Sequence, residues 1–291
     1  DIDMMHFTGS TRAGVAVAQA SAPTVKRVAQ ELGGKSANIV LDDADIEKAV
    51  SAGVSSCFLN TGQSCNAPTR MLVSSKNYEK AVEIAANTAS AMKVGDPFDP
   101  DTKMGPISNK TQYEKVQRMI QIGIDEGATL SSGGVGLPDG CESGYYVKPT
   151  IFSDVTNDMT IAREEIFGPV LPIKTYQDIN ETTEYVNSKD RPLGLYYFGQ
   201  NKAEEDKVLN NTTSGGVTVN DVVGRIQVSD LPFGGVGPSG IGRYKGYEGF
   251  LNFSNARAIS KQVGSKFDKF FEAIRPPYKG DIEKVLKQIA K

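Results

Sequence analysis

Apolar residues recur at Ile46, Ala49, Val50, Gly53, Val54, Cys57 and Phe58. That is the spacing of a helix with one buried face, and Asp42 to Asp45 supply its N-cap. The same period predicts helices from Tyr78 to Val94, from about Asn109 to Glu126 with Gly127 as C-cap, from Asp178 to Asn187 and from Ala203 to Asn210. Between them lie short apolar runs that read as strands: Ile2 to Thr8, Val25 to Leu32, Asn38 to Leu41, Tyr145 to Phe152, Leu193 to Phe198 and Gly216 to Asn220. Strands alternating with helices predict an α/β fold with a mostly parallel sheet. Residues 131–144 read as a surface loop, and residues 232–242 carry too much glycine for either regular element. Two amphipathic pieces close the chain. Phe267, Phe270, Phe271 and Ile274 share one face; Ile282, Val285, Leu286 and Ile289, capped by Asp281, share another.

The periodicity separates the cysteines. Cys57 falls inside the apolar stripe and reads as a small buried hydrophobe. Cys65 lies beyond that helix, between Gly62 and Pro68, on the loop Asn60-Thr61-Gly62-Gln63-Ser64-Cys65. It is either an inert loop cysteine or a nucleophile, since a thiol that becomes a thiolate attacks electrophilic carbon. Upstream, Glu31 is followed by Leu32, Gly33 and Gly34; a carboxylate whose pKa is raised by burial activates water. Strand, glycine turn and helix start also meet at Gly9-Ser10-Thr11-Arg12-Ala13-Gly14, a place where backbone N–H groups and the helix dipole receive a phosphate. Only the outer glycines of a dinucleotide fingerprint are kept there, so an ordinary turn explains it as well.

Composition narrows the partners. A net charge of -3 over 291 residues has no basic footprint for nucleic acid. No apolar run approaches the roughly 20 residues that a transmembrane helix needs, and Asp1 to His6 do not form a secretory signal. Three widely spaced cysteines make neither a disulfide framework nor a metal cluster, so no metal is expected, and the expected setting is reducing and cytoplasmic.

Taken in order, Phe7-Thr8-Gly9-Ser10-Thr11, Glu31-Leu32-Gly33-Gly34, Gly62-Gln63-Ser64-Cys65, Glu164-Glu165-Ile166-Phe167-Gly168-Pro169 and Pro232-Phe233-Gly234-Gly235 resemble the aldehyde dehydrogenase superfamily, from about Phe7 to Ser254. The first half looks like broad-specificity bacterial members. The part from about Arg191 looks more like the class 3 and coniferyl-aldehyde type, with Arg243 and Lys245 where those relatives often carry histidines. The resemblance implies the remnant of a Rossmann-type nucleotide domain over residues 1–33 and an α/β catalytic domain over 34–235. A glycine-rich return loop and a packing or oligomerisation tail would occupy 236–291. It also implies that Cys65 attacks an aldehyde to give a thiohemiacetal, that oxidation by NAD or NADP leaves a thioester, and that Glu31 activates the hydrolytic water. Gly9, Ser10, Gly14, Leu32, Glu165 and Phe167 would serve the cofactor, Glu165 at the nicotinamide ribose. A homodimer or homotetramer is expected. Retention of Glu31 argues against a CoA-acylating variant, and a non-catalytic protein with the same fold is the alternative from another class. Relatives carry on the order of 100–200 further residues before this point, so the chain is expected to be N-terminally incomplete and slow by itself.

Overall fold

The computed structural model describes residues 2–188, 191–261, 268–278 and 280–290. It divides into two units, Asp1–Phe253 and Ser254–Lys291. Strands of the first are β1 (Met4–Thr8), β2 (Arg27–Glu31), β3 (Ala37–Val40), β4 (Arg70–Ser74), β5 (Thr129–Ser132), β6 (Thr150–Ser153), β7 (Val170–Tyr176), β8 (Leu195–Phe198), β9 (Val217–Val219) and β10 (Gly240–Ile241). Its helices are α1 (Thr11–Ser21), α2 (Ile46–Phe58), α3 (Tyr78–Ser90), α4 (Lys110–Asp125), α5 (Thr160–Arg163), α6 (Ile179–Asn187), α7 (Lys202–Asn211) and α8 (Gly246–Asn252). The second unit carries α9 (Asp268–Ile274) and α10 (Ile282–Ile289), the latter capped by Asp281, whose carboxylate accepts from the Lys284 N–H at 3.0 Å. Phe267, assigned by sequence to the α9 face, lies outside the described residues.

Two sheets organise the first unit. The smaller has the order β1-β2-β10, with β1 parallel and β10 antiparallel to β2. The larger has the order β5-β6-β7-β4-β3-β8-β9 and is parallel except for β5 at its edge. The mostly parallel α/β architecture expected from the alternation is therefore present. Every residue of β3, β4 and β8 is buried, as it must be where helices cover both faces of a parallel sheet. The α2 stripe behaves as its spacing demands: Val50, Val54, Cys57 and Phe58 are all buried in the core beside Met71 and Ile173. Each large side chain so placed contributes roughly 1.5–3 kcal/mol of burial.

Some elements depart from the sequence reading. The central strands β4 and β7 were not anticipated, nor were β5 and α8. β7 contains Pro172, which argues against an interior strand, yet it pairs with Phe152 in the register with β6. The run Tyr145 to Phe152 is a strand only from Thr150; the Tyr145 carbonyl is taken instead by the Ile107 N–H at 2.8 Å. α3 stops at Ser90, and Val94 forms a bridge with Met104. Within the supposedly irregular stretch 232–242, Gly240 and Ile241 pair with Glu31 and Gln30. Residues 236–253 lie in the first unit, where Gly240 and Ile241 form the third strand of its small sheet. Among the described residues no helix is long and apolar enough to cross a membrane, and no group of three or more His, Cys, Asp or Glu is placed to hold a metal.

Candidate active site

A cavity of about 480 Å³ opens where the carboxyl ends of β1 and β2 meet loops leading into the amino ends of β3, β4 and β7. Thr8, Gly9 and Ser10 follow β1, Glu31 ends β2, Gly33 precedes β3, Gln63 to Asn66 precede β4, and Glu165 and Phe167 precede β7. Gln112 and Lys115 of α4 complete the lining.

The cysteine loop is built by three consecutive residues in the left-handed region, Asn60 (φ 52°), Thr61 (φ 57°) and Gly62 (φ 71°). The reversal is held by the Asn60 side chain, which donates to the Gln63 carbonyl at 3.0 Å, and by Thr61, which donates to the Gly105 carbonyl at 3.1 Å. Gln63 in turn accepts from the Ser108 N–H at 2.9 Å. A Cβ at Gly62 would run into the carbonyl of Gly168, so only glycine lets the loop lie against the segment leading into β7.

Glu31 is pinned from both sides. Its carbonyl accepts from the Gly9 N–H at 3.1 Å, and its neighbour Leu32 donates to the Ser239 carbonyl at 3.0 Å. Its carboxyl, 5% exposed, is raised to about 7, chiefly by burial and further by the charge of Glu165, while the neighbouring Cys65 thiol opposes the shift. Its Oε1 has no partner among the described residues. The Cys65 thiol is pushed up to about 12, first by burial and then by Glu31 and Glu165. At pH 7 only about one such thiol in 10⁵ would be a thiolate, so reactivity needs a base within reach. Glu31, near half-ionised at neutrality, is the carboxyl within electrostatic reach of that thiol. Cys57 is also raised to about 12 by burial, but it is closed within the core.

Glu165 accepts from the Gly34 N–H at 3.1 Å, and a Cβ at Gly33 would collide with its carboxylate. The diglycine after Glu31 thus lets an acid 131 residues away reach the backbone there. Burial raises the pKa of Glu165, against the Gly34 N–H and the charges of Lys115 and Lys35. Its segment is held from outside by α4: Lys115 donates to the Glu165 carbonyl at 2.8 Å, and Gln112 donates to the carbonyls of Ile166 and Phe167 at 2.8 Å each. Phe167 itself has φ 57°. Gln112 and Lys115 were not among the residues expected from sequence. Their only signal is i, i+3 spacing on the polar side of a helix, which ordinarily means solvent.

A family model described as the aldehyde dehydrogenase family matches residues 1–259. The chain belongs to that family. It is 49% identical over 265 residues to a 3-succinoylsemialdehyde-pyridine dehydrogenase of a Pseudomonas species, covering 91% of this chain and 55% of that protein. Among solved structures it is similar to a mutant aldehyde dehydrogenase of Pseudomonas syringae in complex with NAD+ and octanal (47% identity, TM-score 0.83, 87% of this chain and 51% of that one). It is also similar to the NAD+ complex of an aldehyde dehydrogenase from Bacillus cereus (40% identity, TM-score 0.83, 87% and 51%). The chain spans about half the length of these relatives.

The residues expected to serve the cofactor divide in this aldehyde dehydrogenase chain. Gly9, Ser10, Glu165 and Phe167 line the cavity with Cys65 and Glu31; Gly14 and Leu32 do not. Those two meet each other instead, since a Cβ at Gly14 would lie 2.6 Å from the Leu32 side chain. The cavity end at Gly9 and Ser10 suits a pyrophosphate: α1 begins there with eleven residues, no acid in its first turn, and Ser10 as N-cap.

Proposed function

We propose that this site oxidises an aldehyde to a carboxylic acid with NAD(P)+, with Cys65 as nucleophile and Glu31 as general base. The observation that carries the reading is that the Cys65 thiol shares one cavity with a buried carboxyl poised near 7, Glu31, and with Glu165. Glu31 takes the thiol proton as sulfur adds to the aldehyde carbon, giving a thiohemiacetal. The Cys65 backbone N–H is on hand for its oxyanion. When bound, the nicotinamide supplies the hydride acceptor that turns this adduct into a thioester. Once Glu31 has released its proton, it deprotonates a water that adds to the thioester carbon. The carboxylic acid leaves, and the thiol is restored. Gly9 and Ser10 would hold the pyrophosphate and Glu165 the nicotinamide ribose, with Phe167 against the ring. NAD+ is the favoured cofactor because the similar proteins from P. syringae and B. cereus bind it.

The test is NAD(P)H formation at 340 nm with a simple aliphatic aldehyde, alongside intact mass of the enzyme. Cys65→Ala should abolish turnover. Glu31→Gln should lose about 10²–10⁴-fold, slowing both thiol addition and thioester hydrolysis. Turnover retained in the alanine variant would overturn the assignment. A cytoplasmic homodimer or homotetramer remains part of this reading, and light scattering coupled to size exclusion measures the assembly.

A further inference from the structure

We infer that this site selects aldehydes carrying a second, anionic group, a carboxylate, read by Arg225, Arg243 and Lys245. The inference deepens the proposed function and rests on Cys65 being the nucleophile.

The three cations gather around one loop. Phe233 and Tyr244 exchange backbone hydrogen bonds of 2.7 Å each, which folds residues 233–244 back on themselves. The Arg225 guanidinium lies 5.5 Å from the centre of the Phe233 ring, and the Lys245 ammonium lies 6.0 Å from it. Arg225 donates to the Leu193 carbonyl at 3.0 Å, Arg243 to the carbonyls of Gly235 and Gly242 at 2.8 Å each, and Lys245 to that of Ile226. Every one of these acceptors is neutral. None of the three cations takes part in an ion pair among the described residues. The acids of the same stretch, Asp221, Asp230 and Glu248, are exposed and form no ion pair with them among the described residues.

Arg225 ties the cluster to the nucleophile's side of the fold: the Leu193 carbonyl that it binds leads into Gly194, where a Cβ would lie 2.8 Å from the Tyr196 hydroxyl. Arg225 is within electrostatic reach of Cys65 and of Tyr196, whose hydroxyl donates to the Asn66 carbonyl at 2.6 Å. None of the three cations lines the cavity with Gly9, Glu31 and Glu165, the surface assigned to the cofactor. The Arg225 Nε is buried with no hydrogen-bond partner. A half-buried guanidinium without a counter-ion is costly, and a ligand carboxylate relieves that cost through a geometry the planar fork matches. In a chain of net charge -3, three such cations around one loop run against the average.

Two isosteric comparisons on the 291-residue chain test this. Cys65 alkylation by iodoacetate is compared with that by iodoacetamide, read by peptide mass. Turnover of 4-oxobutanoate is compared with that of its methyl ester. The anionic reagent and the anionic aldehyde should be favoured. Each ratio should fall about tenfold in Arg225→Gln, the scale of a hydrogen bond to a charged group. Each should also fall in Lys245→Gln, whose exposed side chain avoids a folding defect, and with rising ionic strength. Lys207→Gln on exposed α7 should leave the ratios alone. An alkylation ratio indifferent to both cluster variants overturns the proposal, whether or not aldehydes are oxidised. The expected alkylation ratios with neither aldehyde oxidised would keep the anion site and remove the dehydrogenase reading instead.

Discussion

Replacing Glu31 by Gln separates the carboxyl's role as a base from its cost to the fold. The group titrates near 7 in the native chain against 4.5 as an ordinary glutamate. Between those values the native state holds a proton that the unfolded state has released. Stability therefore falls as pH rises from about 4.5 to about 7, and the full cost stands above that window. The shift of about 2.5 pH units corresponds to about 3 kcal/mol. Glutamine keeps the volume and never ionises, so Glu31→Gln should gain on the parent by up to about 3 kcal/mol between pH 4.5 and pH 8. A constant offset from the altered group beside Cys65 is superimposed. For a unit of this size 1 kcal/mol moves Tm by about 2–4 °C, so the gain should reach about 6–12 °C. Urea and thermal unfolding of both proteins at pH 5 and pH 8 measure it. A difference between variant and parent that is the same at both pH values would refute the burial argument, and with it the account of Glu31 as a poised base.

The remaining predictions concern the surroundings of that pair. Gly62→Ala should cost at least ~2 kcal/mol, because a left-handed φ and the Gly168 carbonyl both oppose a Cβ, and should slow Cys65 alkylation by iodoacetamide; an unchanged Tm would count against the loop geometry. Glu165→Gln removes a charge that raises both Glu31 and Cys65, so the pH profile of Cys65 alkylation should move to lower pH; no movement would place Glu165 outside the pair's field. Lys35 is buried without a hydrogen-bond partner for its Nζ and is lowered to about 7, first by burial and then by Arg70. The native state prefers it neutral, so its cost is full below about 7 and fades as pH rises toward 10.5. Lys35→Met should accordingly be more stabilising at pH 6 than at pH 9, read from urea midpoints; the opposite order would overturn the sign.

How far the sequence reads depends on whether a feature is local. The α2 stripe, the N-cap at Asp45 and the glycine after α4 sit within a few residues of what they control, and they were legible. β4 and β7 were not. Their burial on both faces removes the alternation that marks a strand, and Pro172 points the wrong way. The pairing of Gly240 and Ile241 with β2 was hidden for a related reason, since the strand is short and its partner lies some 210 residues earlier.

For the site, local context set Cys65 apart from Cys57, and the ordered motifs that resemble the aldehyde dehydrogenase superfamily put Cys65, Glu31 and Glu165 forward as candidates. Tertiary structure decided what those groups can do. Only the meeting of the small sheet's carboxyl ends with the loops entering the large sheet puts Glu31 against Cys65 and brings Glu165 over Gly33 and Gly34. Only burial there moves a glutamate to about 7 and the thiol beside it up to about 12. Order along a chain carries chemical identity, whereas proton affinity depends on distance and dielectric, which exist only once the two sheets have come together.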